Sequence, residues 1–278
     1  MLIVPAAVLV WVAIVYSTGL DRDLSMFPLI GAAFAWPWTR IPIGQYKSLV
    51  KREAFPSVLK KYGDDFHLEE KGRFDIRSLR RSRILPSYEK AKFEDYITGT
   101  WQRLPVEISE AHFTEKRGSG KRRRTVTTFR GLICRFGMHK TFHGHTIVKP
   151  DKGVFNFLGA LASTFERVRL EDPEFERQFE VFSTDQIEAR YLLTVTFMER
   201  VRRLAQLHES AFGGKKPMHL AFYDDRLLIM LPCASNLFEV RNVQDPDHLS
   251  KDLAALSADL EQVFSIAETL RINQETRL

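Results

Sequence analysis

Val106-Glu107-Ile108-Ser109-Glu110-Ala111-His112-Phe113 and Thr125-Val126-Thr127-Thr128-Phe129-Arg130-Gly131-Leu132-Ile133-Cys134-Arg135-Phe136 decide the fold. The first stretch alternates apolar and polar residues in its early part, and the second is rich in Thr, Val, Phe and Ile. A period of two with β-branched and aromatic content is the signature of a strand. Between them runs Lys116-Arg117-Gly118-Ser119-Gly120-Lys121-Arg122-Arg123-Arg124, nine residues of which six are cations. The pair therefore reads as an antiparallel hairpin with a flexible, strongly basic tip.

Outward from this hairpin the period of two extends back to Asp95, and Tyr96 to Trp101 reads as another strand. Further upstream the spacing predicts a short helix over Ser87 to Phe93. Before it lies a charged linker carrying Arg77, Arg80, Arg81 and Arg83, and before that an amphipathic helix over residues 44–62 with Pro56 as a breaker. Downstream, Thr146-Ile147-Val148, Phe165 to Leu170 and Phe179 to Phe182 read as strands. A capping box at Asp185 and Glu188 starts a short helix. Thr194 caps a longer one, whose apolar face is Phe197, Met198, Val201, Leu204, Ala205 and His208 and whose end is Gly213-Gly214. Met218 to Phe222 and Leu227 to Leu231 form a second hairpin. Leu249, Leu253, Leu256, Leu260, Val263, Ala267 and Leu270 step by fours and threes, a heptad seam. Such a seam either lies on the chain's own sheet, with Phe264 and Ile266 widening its apolar face, or pairs with a second copy.

At the far end, Leu2 to Leu20 holds no charge. At about 1.5 Å per residue it spans roughly 28 Å, close to the ~30 Å hydrocarbon core of a bilayer. It lacks the basic start of a secretory signal peptide. A second apolar run from Leu24 reaches spanning length if extended to Ile43; otherwise it is a re-entrant or interfacial segment. Trp36 and Trp38 sit where an interfacial aromatic belt belongs. Cations dominate after this run, which under the positive-inside rule places the rest of the chain in the cytoplasm.

Charge is distributed unevenly. Residues 39–150 hold 25 Lys and Arg against 12 Asp and Glu, whereas residues 151–278 hold 15 against 21. The basic half would face an anionic leaflet, where each nearby cation contributes on the order of 1 kcal/mol. Cys134 and Cys233 belong to no metal-type spacing and read as two reduced, buried thiols.

Three stretches carry a resemblance. Phe93-Glu94-Asp95-Tyr96-Ile97-Thr98-Gly99, Phe129-Arg130-Gly131-Leu132 and above all Glu180 to Thr194 resemble the bacterial, membrane-tethered domain-of-unknown-function family 3137. The resemblance spans roughly residues 45–240 and implies an N-terminal membrane hairpin, a cytoplasmic domain and genes often near those of LemA-like proteins. It implies no activity and no site residue. Physically the longest motif reads as structural. Ser183, Thr184 and Thr194 serve as caps; Val181, Phe182, Ile187, Tyr191, Leu192 and Leu193 as core; Asp185 and Arg190 either pair with each other or close the capping network, with Glu188 at capping-box spacing from Asp185.

Catalytic signatures are missing from the sequence. Gly118-Ser119-Gly120-Lys121 imitates the end of a phosphate loop, but Glu115 stands where its first Gly belongs and Arg122 follows the Lys. His139, His143 and His145 are weak candidates for a metal, since two of them share one side of a strand but no third ligand has a convincing spacing. His208-Glu209 begins like a zinc-peptidase helix, yet Phe212 occupies the place of the second His. No cofactor is expected.

The expected class is α+β: an N-terminal transmembrane helical hairpin followed by a cytoplasmic domain with a mainly antiparallel sheet and a long C-terminal helix. Residues 1–43 would be the membrane anchor (segments 2–20 and 24–43), 44–92 a juxtamembrane helix and basic linker, and 93–278 the α+β domain. The expected role is an uncharacterised inner-membrane protein serving as a membrane-surface scaffold or interaction module. The alternative is a membrane-tethered enzyme or metal-binding domain of unknown reaction. Lys116, Arg117, Lys121, Arg122, Arg123 and Arg124 would touch the lipid bilayer through anionic head groups, if they are more than a solvated hairpin end. A LemA-like or other membrane-associated protein and a second copy joined through 249–270 are further expected partners. Nucleic acid is disfavoured because the tip lacks interleaved aromatics.

Overall fold

The hairpin read from the sequence is the centre of the fold. Strands β3 (Leu104–Arg117) and β4 (Arg124–Gly137), fourteen residues each, pair antiparallel with Val106 opposite Phe136, Ile108 opposite Cys134 and Glu110 opposite Leu132. The computed structural model describes residues 48, 51–53, 55–70, 72–151, 164–211, 217–234, 237–238 and 248–270. Around the hairpin, β1 (His67–Glu69), β2 (Lys90–Trp101), β5 (Thr146–Pro150), β6 (Glu166–Val168), β7 (Phe179–Ser183), β8 (His219–Tyr223) and β9 (Arg226–Pro232) complete one nine-stranded sheet in the order β1-β2-β3-β4-β9-β8-β5-β7-β6. Every adjacent pair is antiparallel.

Strand alternation sends side chains to two faces, and both are buried. Val106, Ile108, Leu132, Cys134, Phe136, Leu220, Phe222 and Ile229 point to one of them. That face is covered by α2 (Pro173–Glu176) through Phe175, by α4 (Val195–Ala211) through Met198, Val201 and Leu204, and by α5 (His248–Leu270) through Leu260, Val263, Phe264 and Leu270. Phe264 stacks on Tyr62 with ring centroids 4.0 Å apart and meets Phe66 edge-on at 5.4 Å. The described part of the heptad seam is therefore spent on the chain's own sheet. Ala111, Phe113, Phe129, Ile133, Ala221, Leu228 and Met230 point the other way, against Leu79 of α1 (Ile76–Arg81) and against Phe74 and Ile84, which flank that helix. Cys134 and Cys233 are free and buried.

The class expected from the sequence, a transmembrane helical hairpin followed by a cytoplasmic α+β domain, is corrected. What the chain builds is a large antiparallel sheet with mostly short helices, and among the described residues no helix is long and apolar enough to cross a membrane. Even α5, the longest at 23 residues, carries Lys251, Asp252, Asp259, Glu261 and Glu268. The segments 2–20 and 24–43, on whose apolar length the hairpin expectation rested, lie outside the described residues, as does Gly213-Gly214.

Smaller differences have local causes. No helix forms over 87–93, because Lys90 to Glu94 pair in register with Glu110 to Thr114 and are held extended. The charged linker contains a helix instead: Asp75 accepts hydrogen bonds from the backbone N–H groups of Arg77 and Ser78 at 3.0 and 3.3 Å and starts α1. Pro56 does not end the helical stretch at 55–59, since its carbonyl accepts the Lys60 N–H at 3.1 Å.

Candidate functional site

The basic tip stands clear of the sheet. β2 leaves β3 at Thr114 and β9 leaves β4 at Gly131, whereas β3 and β4 stay paired as far as Arg117 and Arg124. Three further residues at the ordinary strand rise make a two-stranded arm about 10 Å long. The turn closes at Gly118, whose φ of +95° favours glycine and where a Cβ would lie 2.7 Å from the Arg122 carbonyl oxygen. Lys116, Arg117, Arg122, Arg123 and Arg124 are exposed. Arg117 pairs with Glu115, and Arg123 lies 3.6 Å from Glu89. Among the described residues no carboxylate pairs with Lys116, Arg122 or Arg124. The side chain of Lys121 lies outside the description.

Two regions read separately in the sequence, the histidine loop and the 180–194 motif, meet in space. Asp185 caps α3 (Gln186–Leu192), accepting the N–H groups of Ile187 and Glu188 at 2.9 Å. Glu188 does not close a capping box. Its carboxylate accepts the backbone N–H groups of His143 and Gly144, at 3.2 and 2.6 Å. Thr184 accepts the His145 N–H at 2.8 Å, and the Ser183 hydroxyl lies 3.0 Å from that of Thr146. Thr194 caps α4 through the Phe197 N–H at 3.2 Å, and Arg190 donates to Gln186 at 3.3 Å. The motif is a clamp that docks the 138–145 loop on the sheet. Its expected core shrinks: Val181 and Leu193 are buried, but Ile187 and Tyr191 are 68% and 58% exposed. One turn apart on a seven-residue helix, they share the side opposite the buried Glu188 and Ala189. Asp185→Ala is expected to cost about 1 kcal/mol of stability through the lost cap. Denaturant unfolding reads this, and an unchanged midpoint would contradict the cap.

The histidines do not converge. His139 and His143 are exposed, while His145 Nε2 lies 2.9 Å from the Ser82 carbonyl and its ring stacks on Tyr223 at 5.6 Å. Burial holds the His145 imidazole down to about 4, so it is neutral at pH 7. Among the described residues no three His, Cys, Asp or Glu side chains are placed to share a metal ion.

A second charged region escaped the sequence reading. A bulge interrupts β2 between Glu94 and Ile97, and Asp95 sits there at φ +53°. The bulge is sealed by the Ser109 hydroxyl, which donates to the Glu94 carbonyl at 2.8 Å. Asp95 is buried and pairs with Lys51 at 2.6 Å. Burial raises its carboxyl, and Lys51 opposes that rise. Beside it a pocket of about 190 Å³ is lined by Lys92, Glu94, Glu110, His112, Arg130 and the apolar group Ala111, Leu132, Cys233 and Leu237. Burial first, and Asp95 next, push the Glu110 carboxyl up to about 8. The only sequence signal of this pocket was the break in alternation at Ser109-Glu110-Ala111.

Fold and sites together define a two-faced antiparallel-sheet domain with a basic arm, a clamped loop and a small charged pocket. A family model described as "Protein of unknown function (DUF3137)" matches residues 127–272, more than half of the chain, and the chain belongs to that family. Among curated proteins none matches the sequence. Among solved structures, the crystal structure of the mycobacterial trehalose monomycolate transport factor A, TtfA, is similar at 12% identity over 81% of this chain and 97% of that one. The TM-score between the two is 0.39.

Proposed function

We propose that this member of a family of unknown function is an interaction module that rests on an anionic surface, a layer of acidic lipid head groups, through the β3–β4 arm. One observation carries the reading: Lys116, Arg122 and Arg124 are exposed at the end of a protruding arm with no carboxylate paired to them among the described residues. Unpaired cations on a convex tip suit a broad, fluid array of phosphates better than a shaped ligand, because they offer charge without a concave wall. The tip also offers no aromatic platform on which a base could stack.

The test compares flotation of the full chain on vesicles with and without acidic lipid. The difference between the two isolates the charge contribution from any apolar association. Replacing Lys121, Arg122, Arg123 and Arg124 together by Ser is expected to reduce that difference at least tenfold, at about 1 kcal/mol for each cation near the surface. Raising salt should erase the wild-type difference as well. A variant that keeps the full preference for acidic vesicles, with the same salt response, would overturn the reading.

A further inference from the structure

Strand register places the charges of the Glu110 pocket in two rungs across β2, β3 and β4. One rung is Lys92, His112 and Arg130; the next is Glu94, Glu110 and Leu132. Beyond the second rung, Ile97, Ile108 and Cys134 belong to the core. The carboxylates thus lie next to the core and the cations one rung outward, about 7 Å further along the strands.

Compensation within the carboxylate group is incomplete. Asp95 is matched by Lys51 and Glu94 by Lys92, at 2.6 and 2.7 Å. Glu110 receives one backbone hydrogen bond from Leu237, and its Oε1 is buried with no hydrogen-bond partner among the described residues. A carboxylate directly opposite another on neighbouring strands is destabilising, and more so when one of its oxygens is buried without a hydrogen-bond partner. The group therefore keeps its proton at neutral pH. Its contribution to stability is fully present below the ordinary carboxylate value of 4.5 and is lost as pH rises through about 8. An ammonium seated here would relieve that cost.

We propose that this pocket binds a small zwitterion of amino-acid size, its ammonium against Glu110 and Glu94 and its carboxylate or phosphate toward the Lys92–His112–Arg130 rung. Ala111, Leu132 and Leu237 supply the apolar wall for the methylenes between the two charges. A simple metal cation would leave that wall unused. The charged groups around Glu110 are Glu94, Asp95, Lys51, Lys92, His112 and Arg130, with the Cys233 thiol nearby.

Calorimetric titration of the full chain tests this with β-alanine, γ-aminobutyrate and phosphoethanolamine as probes, and with methylammonium, acetate and Mg²⁺ as controls. At least one zwitterion is expected to bind more tightly than either single ion. Because the carboxyl must ionise, binding near pH 7 should release a proton, seen as a dependence of the heat on the buffer, and affinity should rise toward about pH 8.5. Glu110→Gln keeps the shape, removes the charge and should weaken binding at least tenfold, the usual scale for a lost charge-assisted hydrogen bond. Lys92→Gln, on the exposed rim, should weaken the zwitterions and spare methylammonium. This second variant decides the matter if the first fails to fold. Absence of binding by all three zwitterions, equal binding to Glu110→Gln, or binding of Mg²⁺ in their place overturns the proposal. A carboxylate preferred over phosphate would separate a free amino acid from a phosphate-bearing head group.

Discussion

Gly131→Ala is expected to be among the most damaging single substitutions in the chain, costing about 4 kcal/mol or more of a stability that for domains totals ~5–15 kcal/mol. Gly131 pairs with Ala111 on one side and with Pro232 on the other, at the point where β9 joins the central hairpin. A Cβ there would lie 2.0 Å from the Leu231 carbonyl oxygen, 2.7 Å from the Cys233 nitrogen and 2.8 Å from the Pro232 Cα. All three are backbone atoms at the end of β9 and the residue after it, and cannot swing aside as a side-chain tip can. The residue also sits at φ +152°, which L side chains rarely adopt. Either β4 and β9 separate or the register slips, and both open the core behind Leu132 and Leu231. Gly120→Ala is the control: it too has positive φ, +54°, but nothing lies within 4 Å of its added methyl. That variant should lose only about 1–2 kcal/mol. Denaturant midpoints of the two variants check the claim, which fails if Gly131→Ala is no worse than Gly120→Ala.

This glycine also shows what the sequence could and could not convey. Phe129-Arg130-Gly131-Leu132 was recognisable as a pattern, but the reason for its Gly is a neighbour a hundred residues away. The long hairpin was legible because β3 and β4 carry their own period, and α4 because its apolar stripe and Thr194 cap are local. Lys90 to Phe93, the end of the helix expected over 87–93, are extended instead: charged residues at a sheet's edge break the period, and only the pairing with Ala111 to Thr114 holds them in the strand. The pocket was illegible for the same reason. Glu94, Glu110, Lys92 and Arg130 become a set only through register, which a bulge at Asp95 shifts and no local pattern announces. The 180–194 motif was legible as capping chemistry, yet the partner of Glu188 is the backbone of a loop more than forty residues upstream. Apolar length along residues 2–43 suggested a fold class that the described sheet does not share.

The second large effect is expected at Glu107 and Arg135, partners across β3 and β4 on the face under α1. Arg135 grips the Glu107 carboxylate with Nε and Nη2, both at 2.6 Å, and donates through Nη1 to Ser78 of α1 at 2.6 Å. The Phe74 ring lies 5.2 Å from its Cζ, and the Tyr96 hydroxyl donates to the same carboxylate. Burial, and then the bond to Glu107, push the Tyr96 phenol well above its ordinary value, so it remains a donor across the whole working pH range. The Arg135 side chain is 7% exposed against 25% for Glu107, and this asymmetry fixes the order of effects. Glu107→Leu strands a buried guanidinium that cannot lose its proton, at a cost of about 3–5 kcal/mol. Arg135→Leu strands a carboxylate that keeps some access to water and its bond from Tyr96, so the loss should be smaller, ~2 kcal/mol. The double variant replaces a desolvated pair by two packed leucines and should lie closer to wild type than Glu107→Leu alone. A double-mutant cycle by denaturant unfolding measures this coupling. Additive losses would mean that the two side chains do not stabilise each other. A double variant more stable than Glu107→Leu would identify the guanidinium as the group that needs its partner.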